Sequence, residues 1–362
     1  RGKYIFRIAR IMQERAREFA AIESLDGGKP IRESRDIDIP LAAAHFFYYA
    51  GWADKLEYAF PGRTVRPLGV AGQIIPWNFP LLMASWKVAP ALACGNTVVL
   101  KPAETTPLTA MKLAEVVRDA GVPEGVVNIV TGAGQTGAAI VNHPGIDKVA
   151  FTGSTEVGKI VMREAADTLK KVSLELGNNS ATLIEPDADL AKAAERCVVS
   201  AFANAGQVCI SLQRIYVHEG IYDAFAAKMA EETAKLKVGS PYEDDTFMGP
   251  VIDDESAARA MGWVQSAIDE GARAITELKC EGRMFYPCVM ADVRDDMAIV
   301  CEEVFAPIVS LVKVKDFDDA MPRMNNSPYG LQFSIFTNDL KLTQRAISEL
   351  DAGGIVINDM PT

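Results

Sequence analysis

"KVAFTGSTEVGK", residues 148–159, runs from an apolar stretch of strand type through a glycine into a segment with helical spacing. Gly153 permits a tight turn, and Ser154 is placed to cap the helix that follows. A strand that feeds directly into a helix is half of a βαβ unit, and the same alternation recurs on both sides. Upstream lie "VAGQII" from Val70, "TVVLK" from Thr97 and "VVNIV" from Val126; downstream lies "KVSLEL" from Lys171. Separated by helical stretches, these runs imply a parallel sheet. The helix after "TVVLKPAETTP" is expected to have Thr106 as N-cap, Pro107 in its first turn and Gly121 just past its end.

A second alternating series begins beyond residue 178, with "SATLIE", a helix through Ala205, "RIYVH", "PIVSLVKV", "LQFSIF" and "GGIVIN". Gly177, Asn178 and Asn179 interrupt two strand-like runs and mark the expected boundary, giving domains of 1–177 and 178–362. Before the first strand, Tyr4, Ile5, Ile8, Ile11, Met12, Phe19 and Ile22 predict one amphipathic helix that stops at "DGGKP". The expected fold class is therefore α/β, with two α/β domains built on parallel-type sheets.

Composition narrows the function. A chain of 362 residues that is 49% apolar can bury more than one core. Its net charge of −11 opposes a nucleic-acid or anionic-membrane partner, since both reward a basic face. Lys87, Gly95 and Asn96 break the most apolar region, so no membrane span is expected. Six cysteines without a CxxC pair fit reduced thiols in the cytoplasm, and three histidines are too few for a zinc site, so no metal is expected. The chain opens on Arg1 and stops after "INDMPT", and both ends are expected to be cut.

Several stretches carry candidate chemistry. Gly132, Gly134 and Gly137 form a literal GxGxxG after a strand, but the acidic residue expected about twenty positions on falls near Glu156, at a helix start. A plain turn explains these glycines equally well. Free N–H groups after "FTGS" suit a pyrophosphate, although Glu156 in the first turn opposes one. "QIIPWNFP" holds Asn78 between prolines and aromatics, a rigid site from which an amide can donate to an oxyanion. "LELGNN" ends a strand with Glu175, a carboxylate in an apolar run where burial would favour its protonated form and suit a general base. Cys209 in "GQVC" reads singly as either a nucleophile or a packed thiol.

Taken in order, "PWNFP", "KPAETTP", "FTGS", "LELG", "GQVC", "EEVFAP" and "NSPYGL" resemble the motif series of the aldehyde dehydrogenase superfamily over nearly the whole chain. The resemblance implies a five-stranded Rossmann-like NAD(P)-binding domain, carrying a short bridging segment near 56–67, and a catalytic domain. It implies that Cys209 attacks an aldehyde to give a thiohemiacetal and then a thioester, with Asn78 and the Cys209 N–H as oxyanion hole. Glu175 would activate the hydrolytic water, favouring a free carboxylic acid over transfer to coenzyme A. Cofactor contacts are implied for Ile75, Pro76, Trp77, Lys101, Glu104, Gly134, Gly137, Phe151, Ser154, Leu176, Glu303 and Phe305. NAD is expected in preference to NADP, with Glu104 on the adenosine ribose, and a homo-oligomer, dimer or tetramer, is implied as well.

Three departures stand out. The common "ELGGK" reads "ELGNN" with Asn178 for the second glycine, "EEVFGP" reads "EEVFAP", and the 56–67 linker is shorter than the usual bridging hairpin. Arg214 is expected to be structural, and Val208 stands where relatives acting on anionic aldehydes can carry arginine. The alternatives are a coenzyme-A-acylating dehydrogenase or a catalytically inactive binding relative.

Overall fold

The computed structural model describes residues 1–361. The backbone divides into two compact units, Arg1–Leu176 and Gly177–Thr362.

In the first unit, strands β1 (Val70–Ile74), β2 (Thr97–Lys101), β3 (Val127–Ile129), β4 (Lys148–Thr152) and β5 (Lys171–Glu175) form one sheet in the order β3-β2-β1-β4-β5. Every pairing is parallel. Parallel neighbours require crossovers, supplied by the helices Pro80–Ala93, Leu108–Asp119, Gly134–Asn142 and Thr155–Ala166. The five strands are those expected from the apolar runs.

Two local expectations need correction. The N-terminal periodicity spans two helices, Gly2–Glu14 and Ala16–Gly27, because Arg15 leaves helical geometry at φ −103° and ψ 16°. The break re-aims the chain so that Phe19 and Ala20 join Ile5, Ile8 and Met12 in the same core. Thr106 does not cap the next helix. Pro107 occupies that position, and Asp26 accepts from the Leu108 N–H at 2.8 Å, so a carboxylate from a distant helix serves the terminus. Gly121 does lie past the end, at φ 76°. The 56–67 segment contains one helical turn, Leu56–Ala59, followed by exposed loop.

In the second unit, β6 (Ser180–Ile184), β7 (Leu212–His218), β8 (Arg273–Ala274), β11 (Cys288–Ala291), β12 (Ile308–Val314), β13 (Gln332–Phe336) and β14 (Gly354–Ile357) form a sheet in the order β14-β13-β6-β7-β12-β11-β8, while β9 (Cys280–Glu281) and β10 (Met284–Phe285) pair separately. Only β8 runs antiparallel in the large sheet. The central strands are buried along nearly their whole length, which is why they read as continuous apolar runs. The helix expected to reach Ala205 stops at Phe202, and a tight turn over Ala203–Gly206 follows.

Candidate active site

In the first unit the expected residues gather at one edge. Ile75, Pro76, Trp77 and Asn78 follow β1; Lys101 ends β2, with Glu104 three residues on; Gly134 opens the helix after β3, and Gly137 lies in its first turn. Phe151 is in β4, with Ser154 just beyond it, and Glu175 and Leu176 finish β5. All stand toward the carboxyl ends of parallel strands. The chain winds outward from β1 to β3 and then restarts on the other side of β1 with β4, so the reversal between β1 and β4 opens a crevice where an open α/β sheet takes its ligands. The GxGxxG loop misleads for a topological reason: it follows the edge strand β3, whereas the glycine fingerprint belongs after the central first strand.

The local geometry suits a dinucleotide. Lys101 is buried and its Nζ lies 3.0 Å from Glu104 Oε2, while the Glu104 side chain is half exposed. A hydrogen bond from its own backbone N–H and then Lys101 hold the Glu104 carboxyl below the usual range, so it stays ionised as an acceptor. Ser154 Oγ accepts from the Val157 N–H at 3.3 Å and caps Thr155–Ala166, presenting a helix N-terminus at the crevice. A Cβ on Gly134 would meet nothing within 4 Å, so the loop leaves open space beside it. Asn78 is buried just ahead of the helix Pro80–Ala93, and the Trp77 carbonyl before it accepts from the Thr106 hydroxyl at 3.2 Å. Glu175 is exposed at the end of the edge strand β5, so the burial expected from its apolar run is absent.

In the second unit Cys209 sits half-buried in the turn before β7. The approach to it is left-handed: Asn204 (φ 47°), Ala205 (φ 55°) and Gly206 (φ 68°) follow one another. Left-handed geometry costs roughly 1–2 kcal/mol for each residue with a Cβ, so the surroundings must impose it. Gln207 does much of this. Its Nε2 donates to the Asn204 carbonyl at 3.0 Å and its Oε1 accepts from the Ile252 N–H at 2.8 Å. Gly206 is required outright, because a Cβ there would lie 2.2 Å from the Ala306 carbonyl oxygen. Ala306 itself is buried and is absent from the positive-φ residues, so its extra methyl is accommodated.

Glu303 and Phe305 lie in the loop before β12, and Glu303 Oε1 accepts from the Asn178 N–H at 2.9 Å. Cys209, Asn178 and Glu303 thus all lie at the amino ends of their strands, opposite to the rule that the first unit obeys. Arg214 is structural, as expected: its guanidinium is buried and donates to the Asn179 carbonyl, the Tyr216 hydroxyl and the Met324 carbonyl. Burial pushes the Cys288 thiol up to about 12 and Cys197 further, so neither core cysteine offers a thiolate at neutral pH. His143 and His218 each spend Nδ1 on a backbone N–H two residues on. Gln213 had no sequence signal, and Gln207 stood in the GQVC motif only as a neighbour of Cys209, because an amide buried between loops looks like any polar residue until the chain is folded.

The Aldehyde dehydrogenase family model matches residues 1–362. "Aldehyde dehydrogenase, mitochondrial" of Leishmania tarentolae is 44% identical, covering 99% of this chain and 74% of its own length. "Retinal dehydrogenase 2" of Homo sapiens is 42% identical over 99% of this chain and 72% of its own. The NAD+ complex of the Bacillus cereus aldehyde dehydrogenase superposes with a TM-score of 0.95 at 40% identity, covering 100% of this chain and 76% of that one. The chain belongs to the aldehyde dehydrogenase family, whose enzymes are oxidoreductases acting on aldehydes.

Proposed function

We propose that this enzyme oxidises an aldehyde to a carboxylic acid with NAD, the first unit holding the cofactor and the second supplying Cys209 as nucleophile. The observation that carries the cofactor reading is the gathering of ten expected contact residues along the carboxyl edge of one parallel sheet. Glu104 and Lys101 would take the adenosine ribose, Ser154 and its helix terminus the pyrophosphate, and Glu303 and Phe305 the nicotinamide end. When bound, the nicotinamide ring supplies a hydride acceptor. The chain's own residues do the rest. Cys209 Sγ, as the thiolate, would add to the aldehyde carbon, and the Asn78 amide and Cys209 N–H would donate to the oxygen as it gains charge, each such donor being worth about 10²- to 10³-fold in rate. The oxyanion of this thiohemiacetal would then re-form C=O as its carbon gives up a hydride to the acceptor, leaving a thioester on Cys209. Glu175 then takes a proton from water, which attacks the thioester and releases the acid and the Cys209 thiolate.

Glu104 favours NAD, because a 2′-phosphate would bring like charge against a carboxylate held ionised. A homodimer or tetramer is supported by exposed Phe6, Tyr48, Tyr58 and Phe60, and a reducing compartment such as the cytoplasm by six cysteines outside any disulfide. The test is NADH formation against a panel of aldehydes. Cys209→Ala is expected to abolish it while cofactor affinity stays within about threefold, since the thiol supplies covalent chemistry and little contact area. Turnover in the variant, or no NADH from any aldehyde with the native protein, overturns the reading.

A further inference from the structure

We propose that Gln213 is a positioning residue that sets the nicotinamide end of the cofactor site by locking the loop of Glu303 and Phe305. The inference rests on the cofactor reading of those two residues. Gln213 is buried in β7, and its amide spans two loops: Nε2 donates to the Asn178 carbonyl at 3.2 Å, and Oε1 accepts from the Val304 N–H at 2.8 Å. The Asn178 N–H in turn donates to Glu303 Oε1 at 2.9 Å, which closes a ring through residues 178, 213, 304 and 303.

Asn178, where the common motif has glycine, is itself fixed. It is fully buried, its Nδ2 donates to Ser180 Oγ at 2.7 Å, and its Oδ1 accepts from the Leu331 N–H at 3.1 Å. A glycine there could make neither side-chain bond. The asparagine is therefore an anchor against which Gln213 can hold the opposite loop.

The ring has something to restrain. Phe305 is an aromatic residue at φ 50°, a left-handed conformation that persists only where the surroundings over-determine it. Downstream, the restraint comes from the backbone: the Ile308 N–H donates to the Ala306 carbonyl at 2.7 Å, and the Cys288 N–H to the Pro307 carbonyl at 2.9 Å. Upstream, the buried Val304 N–H is held by Gln213. Removing that acceptor strands a buried donor. The easiest relief is rotation of residues 303–305, which takes the Glu303 carboxylate and the Phe305 ring with it. The adenosine end, built by the first unit, is untouched.

The consequence is a split between chemistry and binding. Gln213→Met keeps the volume and loses both hydrogen bonds, whereas Gln213→Glu keeps an acceptor for Val304 and loses the donor to Asn178. In the full chain, Gln213→Met is expected to slow the single-turnover NADH burst at saturating NAD by about tenfold or more while the Kd for NAD changes less than about threefold. Gln213→Glu should recover most of the burst rate. A burst within about twofold of native in Gln213→Met overturns the proposal, as does a Gln213→Glu variant equally slow. Should Gln213→Met fail to fold, Gln213→Asn, too short to span both loops, gives the same reading. Glu303→Gln separates the two levels: if it changes neither the burst nor NAD affinity, the cofactor reading itself fails, whereas a sensitive Glu303→Gln beside a silent Gln213→Met overturns only the role of Gln213.

Discussion

Replacing Glu23 by glutamine removes a proton-dependent cost that the first unit carries beside the loop of Asn78 and Phe79. Glu23, Lys29 and Asp38 are all buried, and Lys29 is hydrogen-bonded to Asp38 while standing 3.9 Å from Glu23. The Lys29 ammonium also lies 3.6 Å from the Phe79 ring centroid, next in sequence to Asn78. One cation thus faces two carboxylates and belongs to Asp38. Neither Glu23 oxygen has a hydrogen bond of ordinary geometry. Burial pushes the Glu23 carboxyl up to about 8, against the pull of Lys29 and with the repulsion of Asp38. The folded pKa lies above the unfolded value of 4.5, so between these limits the folded state holds a proton that the unfolded state has released. The Glu23 contribution is therefore fully present below pH 4.5, declines as pH rises, and is lost once pH passes about 8. At about 1.4 kcal/mol per unit, the loss reaches roughly 3 kcal/mol at pH 7 and about 5 kcal/mol above pH 8. For a unit of this size, that is on the order of 10 °C in Tm. Glu23→Gln, neutral at every pH, should match the native protein near pH 5 and exceed it by about that much at pH 9 in paired thermal melts, where other titrations cancel. A native-to-variant difference that stays constant from pH 5 to 9 refutes the reasoning, since it would mean that Glu23 has the same proton affinity folded and unfolded.

Two further outcomes test the site. Glu175→Gln should still give an NADH burst but accumulate acyl-enzyme, seen by mass spectrometry as an adduct on the peptide containing Cys209; an unmodified peptide after a burst removes Glu175 as the base. Glu104→Ser should narrow an NAD-over-NADP preference of about 5- to 30-fold in kcat/KM, the size left after exposure and the Lys101 pair screen the repulsion. A native preference for NADP would show that Glu104 does not meet the ribose.

What could be read in advance follows from the reach of each interaction. β1, β2 and β4 were legible because a strand covered by crossover helices is mostly apolar, and β6, β7, β12 and β13 for the same reason, whereas the half-buried edge strands β3, β5 and β14 showed through shorter apolar runs between turn residues. β8 to β10 were not, since a two-residue strand has no period to detect. The Thr106 cap failed because its replacement, Asp26, comes from a helix 82 positions away. The same distinction divides the site. Cys209, Glu175 and Asn78 stand in motifs whose order along the chain is itself informative, and the ten cofactor candidates of the first unit lie near strand ends that its topology brings to one edge. The roles of the amides that shape the second unit's loops leave no such trace, although Gln207 lies within the GQVC motif. Gln207 joins residues 204 and 252, and Gln213 joins 178 and 304, and neither pairing has a periodicity or a local partner. They are also where departures from the family pattern carry meaning. Asn178 stands where the common motif has a glycine; in the fold it anchors Glu303, through contacts with Ser180, Leu331 and Gln213 that exist only once β6, β7 and β13 are side by side. A substitution of this kind acts on the loop that its backbone faces rather than on its neighbours in sequence. The proposed placement of Glu303 and Phe305 accordingly depends on buried polar side chains, Gln213 and Asn178, that act on the loops rather than on a bound molecule.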